Sequence, residues 1–289
     1  METYPTPTAI AAARPRPEQI DLYGVSHPGR VRTENQDQFL IASLHKTMMV
    51  HHSSIPEEHL GRLTSDSRGF VFLVADGVGG GPAGQLASGT ALTAIVDYVI
   101  HAMDLYLDID ESTEPMFLAQ LRQSVERGHE KIRAESGPAR TSGMATTLTM
   151  VTVRWPKAYL VHVGDSRCYR LRNGNLEMMT KDQTMAQVLV DAGALNPDTA
   201  EQSGLKHVLW SALGGREASP ETLKTDIEFD DIMLICSDGL NKHVSDEEIR
   251  DHLLRTTSSE ATCRELVDLA LARGGSDNVT VVMSRLKRD

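Results

Sequence analysis

The run Phe70-Val-Phe-Leu-Val-Ala75 is apolar at every position, and Asp76 and a glycine-rich segment close it. A stretch of this length is strand-sized, and because it offers no polar face it has to be buried on both sides of the pleat. The chain must therefore cover one of its own strands from above and from below. Its 289 residues, 40% of them hydrophobic, can supply a core of that size in one large domain or two small ones, and one is expected. The other apolar runs are also short of the roughly 20 residues that span a bilayer. Met1 to Glu18 lacks an apolar signal core, so a cytoplasmic protein without membrane contact is expected. Cys168, Cys236 and Cys263 are odd in number and lack C-x-x-C spacing, which gives no disulfide framework or zinc knuckle and fits a reducing compartment. Lys plus Arg total 29 against 40 Asp plus Glu, and the net charge of -11 argues against nucleic acid as a partner.

Met1 to Glu18 mix Pro, Thr and Ala without an apolar period and read as a disordered tail, with a single folded domain over 19–287. Strands are expected at about Ile20 to Val25 and Gln38 to Ser43, followed by a polar insertion over 45–68 with room for a short strand at Met48 to His51. Pro82 opens a helix to about Leu107, in which Leu86, Thr93, Val96, Ile100 and Met103 recur at helical spacing; a second helix covers Pro115 to Glu135. The pattern then alternates with period two. Thr146 to Val153, Ala158 to Val163 and Arg167 to Leu171 read as an antiparallel meander, with Asn173-Gly174 as a hairpin turn before Leu176. Thr184 to Leu213 carries mixed helical signals. Leu223 to Ile227, Ile232 to Cys236 and Asn278 to Leu286 read as strands, and Ser245 to Leu254 and Ser258 to Ala272 as helices, with Ser258 as N-cap. Strands grouped between helical pairs imply an α+β fold: a four-layer α-β-β-α sandwich of two stacked antiparallel sheets with helices outside.

Aspartates recur where these strands begin or end. Asp76 ends FVFLVA, Asp165 follows YLVHVG, Asp238 follows IMLICS, Asp277 precedes NVTVVM and Asp37 precedes QFLIA. A carboxylate at the lip of an apolar strand is costly unless it is paired, hydrogen-bonded or bound to a cation. Any one of them has a plain explanation as a turn residue beside glycine. If the strands share sheets, however, their ends gather on one rim and concentrate negative charge that metal ions would neutralise. Donors that are all oxygen select hard cations such as Mg²⁺ or Mn²⁺, and Gly77 adds an unobstructed backbone carbonyl. Arg32 on its own reads equally well as a surface ion pair; beside such a rim its guanidinium suits bidentate capture of phosphate oxygens.

The ordered series Arg32-x-x-Asn35-Gln36-Asp37, Val74-Ala-Asp-Gly-Val-Gly-Gly80, Ser142-Gly-Met-Ala-Thr-Thr147, Val163-Gly-Asp-Ser-Arg167, Ser237-Asp-Gly-Leu240 and Asp277-Asn278 resembles the bacterial branch of the metal-dependent protein phosphatases, the protein phosphatase 2C family, from about Leu22 to Leu286. The resemblance implies a two-metal centre holding Mn²⁺ or Mg²⁺. In it Asp76 bridges both ions, Asp238 and Asp277 hold the first, the Gly77 carbonyl reaches the second, and Asp165 with Asp238 holds a weaker third; Asp37 supports the set. It also implies hydrolysis of phosphoserine and phosphothreonine in proteins by a metal-activated water, without a phosphoenzyme, while Arg32 and the ions neutralise charge on the transferred group. Phosphorylated proteins marked by a cognate Ser/Thr kinase would be the partners of a monomeric enzyme. Two departures are visible. Gln36 stands where many relatives carry a glutamate that meets the second metal through water, and Val78 stands where the animal enzymes place a histidine.

Competing readings are weaker. Gly79-Gly-Gly81-Pro-Ala-Gly84 fits a dinucleotide-binding fingerprint, but Asp97 and Asp104, about twenty positions on, fall in a helical pattern and not at the end of a second parallel strand. Ser166 lacks the glycine-flanked elbow of a hydrolase nucleophile. His45, His51, His52 and His59 fit no metal spacing and read as a solvated loop. A phosphatase-fold binding module without turnover, or a partner-switching phosphatase acting on a phosphorylated transcription regulator, are the alternatives. Substrate choice is expected to lie in 184–213, a flap with Gly193, Gly204 and the Gly214-Gly215 pair, or in the insertion.

Overall fold

The structure, a computed structural model, describes residues 14–45, 68–79, 82–101, 109–136 and 143–288. The doubly apolar run is strand β3 (Arg68–Ala75). It pairs antiparallel with β2 (Gln38–His45) on one side and β6 (Leu148–Arg154) on the other. With β7 (Lys157–Val163) and the edge strand β10 (Glu221–Asp226) these form one sheet in the order β10-β7-β6-β3-β2. The second sheet is built from β1 (Ile20–His27), β8 (Arg167–Arg172), β9 (Asn175–Met178), β11 (Ile232–Cys236) and β12 (Val279–Leu286), in the order β1-β12-β11-β8-β9. Every ladder is antiparallel.

Alternation along the strands builds the layers. Phe72 and Val74 of β3 meet Met233, Ile235 and Val282 from the facing sheet. Val71 and Leu73 point the other way and pack on helices α1 (Pro82–His101) and α2 (Glu114–Glu135) through Ala87, Ala91, Ile95, Leu121 and Val125. On the far side Leu234, Cys236, Val281 and Met283 pack on helices α6 (Asp246–Leu254) and α7 (Ser259–Ala272) through Ile249, Leu253, Leu266 and Val267. This is the four-layer sandwich. Ser245 closes a capping box at the start of α6, where Asp246, Glu247 and Glu248 sit against the positive end of the helix.

Several expectations need correction. The apolar stripe that marks α1 in the sequence is not its buried face: Leu86 and Ile100 are exposed, while Ala87, Ser88, Ala91, Ile95 and Val99 are buried. Small residues let α1 lie close to the sheet, and small residues carry little hydropathy signal. Leu107 and Met103 lie outside the described residues, as do Met48 to His51, His51, His52, His59 and Asp104. His45 is the last residue of β2 and pairs with Arg68, so both ends of the insertion belong to strands and not to a loop. The strand expected over Thr146 to Val153 is interrupted at Thr147, separating β5 (Ala145–Thr146) from β6; β5 pairs instead with β4 (Gly77–Val78). The expected meander also breaks after β7, because β8 belongs to the other sheet. Gly164, at φ +109, makes that crossing, and a Cβ there would sit 2.6 Å from Thr147 Cγ2. Pro17 and Glu18, the end of the expected tail, form with Gln19 a 3₁₀ turn leading into β1. Among the described residues no helix is long and apolar enough to cross a membrane.

Candidate metal and phosphate site

The registers bring the aspartates to one rim. Gln38 pairs with Ala75, so Asp37 and Asp76 leave β2 and β3 side by side. Cys236 pairs with both Arg167 and Val281, which puts Asp165, Asp238 and Asp277 at the same end of the second sheet. Asp165 lies on the crossing from one sheet to the other, so the two rims meet there.

Each sequence motif proves to be one half of a staple whose other half is distant in the chain. Asn278 accepts the Gln36 amide at Oδ1 (2.9 Å) and donates from Nδ2 to the carbonyls of Pro28 and Glu34 (both 2.9 Å), so the loop carrying Arg32 is fixed to the loop carrying Asp277. Gly29 lies so close to the Asp277 carbonyl, at φ +83, that no side chain fits. Arg32 consequently places its fork on Asp277, Nε to Oδ1 at 2.8 Å and a terminal nitrogen to Oδ2 at 3.0 Å. The Ser237 and Thr280 hydroxyls both donate to Asp37 Oδ2 at 2.7 Å. Asp76 is held through its backbone: its N–H donates to Thr147 Oγ1 (3.0 Å), and its carbonyl accepts from the Thr147 N–H and the Thr146 hydroxyl (both 2.9 Å). Ser166 meets Thr147 Oγ1 at 2.7 Å and is fully buried, which makes it a support of the rim and not a nucleophile. Gly84, the last glycine of the dinucleotide lookalike, is where α1 abuts Gly77 and the Gln36 side chain. Arg167 grips Asp182 with two nitrogens, at 3.0 and 2.8 Å, beside Asp165.

The electrostatics are lopsided. Burial, with Asp37, Asp238, Asp165 and Asp277 adding their charges, holds Asp76 well above the ordinary carboxylate range. Burial and Asp238 do the same to Asp165. Burial pushes Asp37 up to about 6 against the pull of the Thr280 and Ser237 hydroxyls. Asp277 goes the other way: burial works against its charge, but its bonds to Lys242 and Arg32 outweigh that and lower it. Lys242 is the residue that sequence reasoning missed. Its Nζ lies 2.6 Å from Asp238 Oδ2 and 2.7 Å from Asp277 Oδ2. The signal was present in the spacing, since Asp238 and Lys242 stand one helical turn apart.

Whether a divalent cation suits this rim can be judged from the residues. Asp37 Oδ1 is buried and, among the described residues, has no hydrogen-bond partner; an orphaned carboxylate oxygen beside other carboxylates fits a cation. The donors are all oxygen, which matches Mg²⁺ or Mn²⁺. Among the described residues no three Asp, Glu, His or Cys side chains converge closely enough to enclose an ion as they stand; Lys242 bridges Asp238 and Asp277, and Arg32 pairs with Asp277. Val78 is exposed and gives no acid at its position.

The family model described as Protein phosphatase 2C matches residues 58–272. The serine/threonine protein phosphatase PstP of Mycobacterium tuberculosis is 39% identical over 216 residues, which cover 74% of this chain and 40% of that protein. The chain thus spans well under half the length of this curated relative. The protein phosphatase PhpP of Streptococcus pneumoniae is 29% identical over 220 residues, 76% of this chain and 87% of that one. Among solved structures, the catalytic domain of PstP in complex with two manganese ions superposes with a TM-score of 0.71 at 32% identity, covering 93% of this chain and 99% of that one.

Proposed function

Because the chain belongs to the protein phosphatase 2C family, we propose that it hydrolyses phosphoserine and phosphothreonine in proteins with the help of Mn²⁺ or Mg²⁺ held at the aspartate rim. The observation that carries this reading is the gathering at one rim of the half-buried Asp76 and Asp165 with the buried Asp37, one of whose carboxylate oxygens has no hydrogen-bond partner among the described residues. Asp76, Asp238, Asp277 and the Gly77 carbonyl would hold the ions, with Asp165 as a further ligand, Asp37 in support and Gln36 through water. Bound there, the ions would supply an acidified water as nucleophile and positive charge for the phosphoryl oxygens.

The chain's own residues do the rest. The Arg32 side chain is 56% exposed; its Nε edge lies on Asp277, which leaves the edge between its two terminal nitrogens to donate to phosphoryl oxygens. Thr146, Thr147 and Ser166 hold Asp76 in register, so its carboxylate does not have to be organised when substrate arrives. The flap, made of α3 (Met185–Asp191), α4 (Pro197–Gln202) and the 3₁₀ turn Gly204–His207, brings Lys206 and His207 to the cleft that Asp165 and Asp238 line. That placement supports the flap as the surface that reads the protein around the phosphate. Gly214 is no hinge, however: at φ +77 it is wedged against Ile132 of α2 and the Met144 carbonyl. The same reading makes 19–287 one catalytic domain that works as a cytoplasmic monomer and reverses the marks of a Ser/Thr kinase.

The test is release of phosphate from an aryl phosphate and from phosphoserine and phosphothreonine peptides with Mn²⁺ present. Chelation and Asp238→Asn should each abolish it, and turnover that survives chelation overturns the proposal.

A further inference from the structure

We propose that Lys242 is a built-in cation of the rim that competes with a divalent ion for Asp238 and Asp277 and so sets how tightly this protein holds metal. The inference rests on the metal reading above and names a regulator of that same site. Lys242 follows the single-turn helix α5 (Asp238–Asn241), and its backbone N–H donates to the Asp238 carbonyl at 2.9 Å. The side chain is therefore launched one turn above Asp238 and folds back, with 23% of its surface exposed, to reach Asp238 Oδ2 at 2.6 Å and Asp277 Oδ2 at 2.7 Å.

An ammonium that bridges two carboxylate oxygens fills the wedge between them. A hard divalent ion held by the same oxygens would need that wedge, so the two cations exclude each other sterically and by charge. Asp277 has no oxygen outside this competition, since Oδ1 already accepts from Arg32 Nε at 2.8 Å and from the Asn278 N–H at 3.0 Å. The neighbouring side of the cleft repeats the pattern. There Asp165, Asp182 and Asp238 face Arg167, Lys206 and Lys242, so the chain's own cations stand where a further ion would have to enter. Metal binding at Asp238 and Asp277 then proceeds by displacement of Lys242.

The experiment is a titration of the purified full chain with Mn²⁺ alone, followed by calorimetry and by water-proton relaxation, for the native sequence, Lys242→Met, Lys242→Gln and Lys242→Arg. Loss of the charge in Lys242→Met should tighten the Mn²⁺ held by Asp238 and Asp277 by about tenfold, a factor equivalent to about 1.4 kcal/mol. Lys242→Gln, which keeps a donor without the charge, should tighten it as well and serves if the Met variant fails to fold. Lys242→Arg should stay near the native affinity. Unchanged or weaker Mn²⁺ binding in both uncharged variants overturns the inference. A native chain that takes up no Mn²⁺ at millimolar concentration overturns the metal reading beneath it instead.

Discussion

Two groups of buried and half-buried carboxylates sit at opposite ends of the same β-sheet, and the chain treats them differently. At one end Glu114, the first residue of α2, accepts the Tyr159 hydroxyl at 2.7 Å, Lys157 at 3.2 Å and Lys224 at 2.6 Å. Lys224 above all, with Tyr159 and Lys157, lowers its carboxyl to about 2. At the other end Asp76 and Asp165 are held well above the ordinary range, first by burial and then by one another's neighbours. Carboxylates that serve the fold are matched by cations from the chain itself. Those at the rim outnumber the cations that reach them, and the shortfall is what a divalent ion would supply. Arg32 and Lys242 both meet Asp277 and lower it, and Lys242 also meets Asp238.

The largest effect expected from this difference is at Asp76. Asp76→Asn should lower phosphate release by about a thousandfold, the scale lost when a principal electrostatic stabiliser is removed. In chelator the same substitution should raise the melting temperature, because it removes a charge that burial and four other aspartates oppose. A melting temperature that falls would mean that Asp76 is satisfied by the chain after all. Glu114→Ala should behave in the opposite way. It leaves the hydroxyl of the buried Tyr159 without its acceptor, while the partly exposed Lys157 and Lys224 turn to water, and should cost about 1 to 2 kcal/mol by denaturant unfolding, with Mn²⁺ affinity and turnover unchanged.

The pH dependence separates the two groups by sign. Glu114 is depressed from 4.5 to about 2, so its contribution is present above about pH 4.5 and is lost as pH falls toward 2. Asp37 is raised from 3.8 to about 6, so the stability tied to its protonated form is present below about pH 4 and is lost as pH rises through 6. The chelated protein should therefore be most stable at about pH 4 to 4.5 and should weaken by a few degrees toward pH 8, where added Mn²⁺ should restore more than it does at pH 5. Melting curves at both pH values, with and without Mn²⁺, measure this. Equal stabilisation by Mn²⁺ at both would erase the distinction between the groups.

The sequence exposed the rim more completely than the contacts that hold it together. Each strand that carries an aspartate is a short, largely apolar run, continuous in β3 and β11 and alternating or broken by single polar residues in the others, so both the strand and its polar end are local signals. The crossing at Gly164, the pairing of β4 with β5 and the turning of β8 into the other sheet depend on partners far along the chain, and no local period reports them. The same holds for Asn278, whose side chain ties down the Arg32 loop from more than two hundred residues away. The buried face of α1 was hidden for a different reason: it is built from Ala87, Ser88 and Ala91, and Leu86 and Ile100, which dominate the hydropathy, face outward. Lys242 was legible as an acid–base pair at helical spacing, but an i, i+4 pair on a helix is ordinarily a surface feature.

The finest probe of the comparison is Gln36. Its backbone is fixed, with the N–H on Asn278 Oδ1 at 2.9 Å and the carbonyl accepting from Ser88 Oγ at 2.7 Å, so a substitution changes only what the side chain offers. That side chain closes on Gly84, where an added Cβ would lie 2.7 Å from Oε1 and 3.0 Å from the Gly77 carbonyl. Gln36 and the Gly77 carbonyl thus converge at Gly84, the start of α1. Gln36→Glu adds a carboxylate to a group that already has too many, with no new cation to meet it. In chelator it should lower the melting temperature slightly, and with Mn²⁺ it should tighten binding by up to about tenfold, equivalent to about 1.4 kcal/mol. The two changes have opposite signs from a single added charge, which no loss of packing would produce. If neither is seen, the uncompensated charge is confined to Asp37, Asp76 and Asp165 and does not extend to the Gly77 side of the rim.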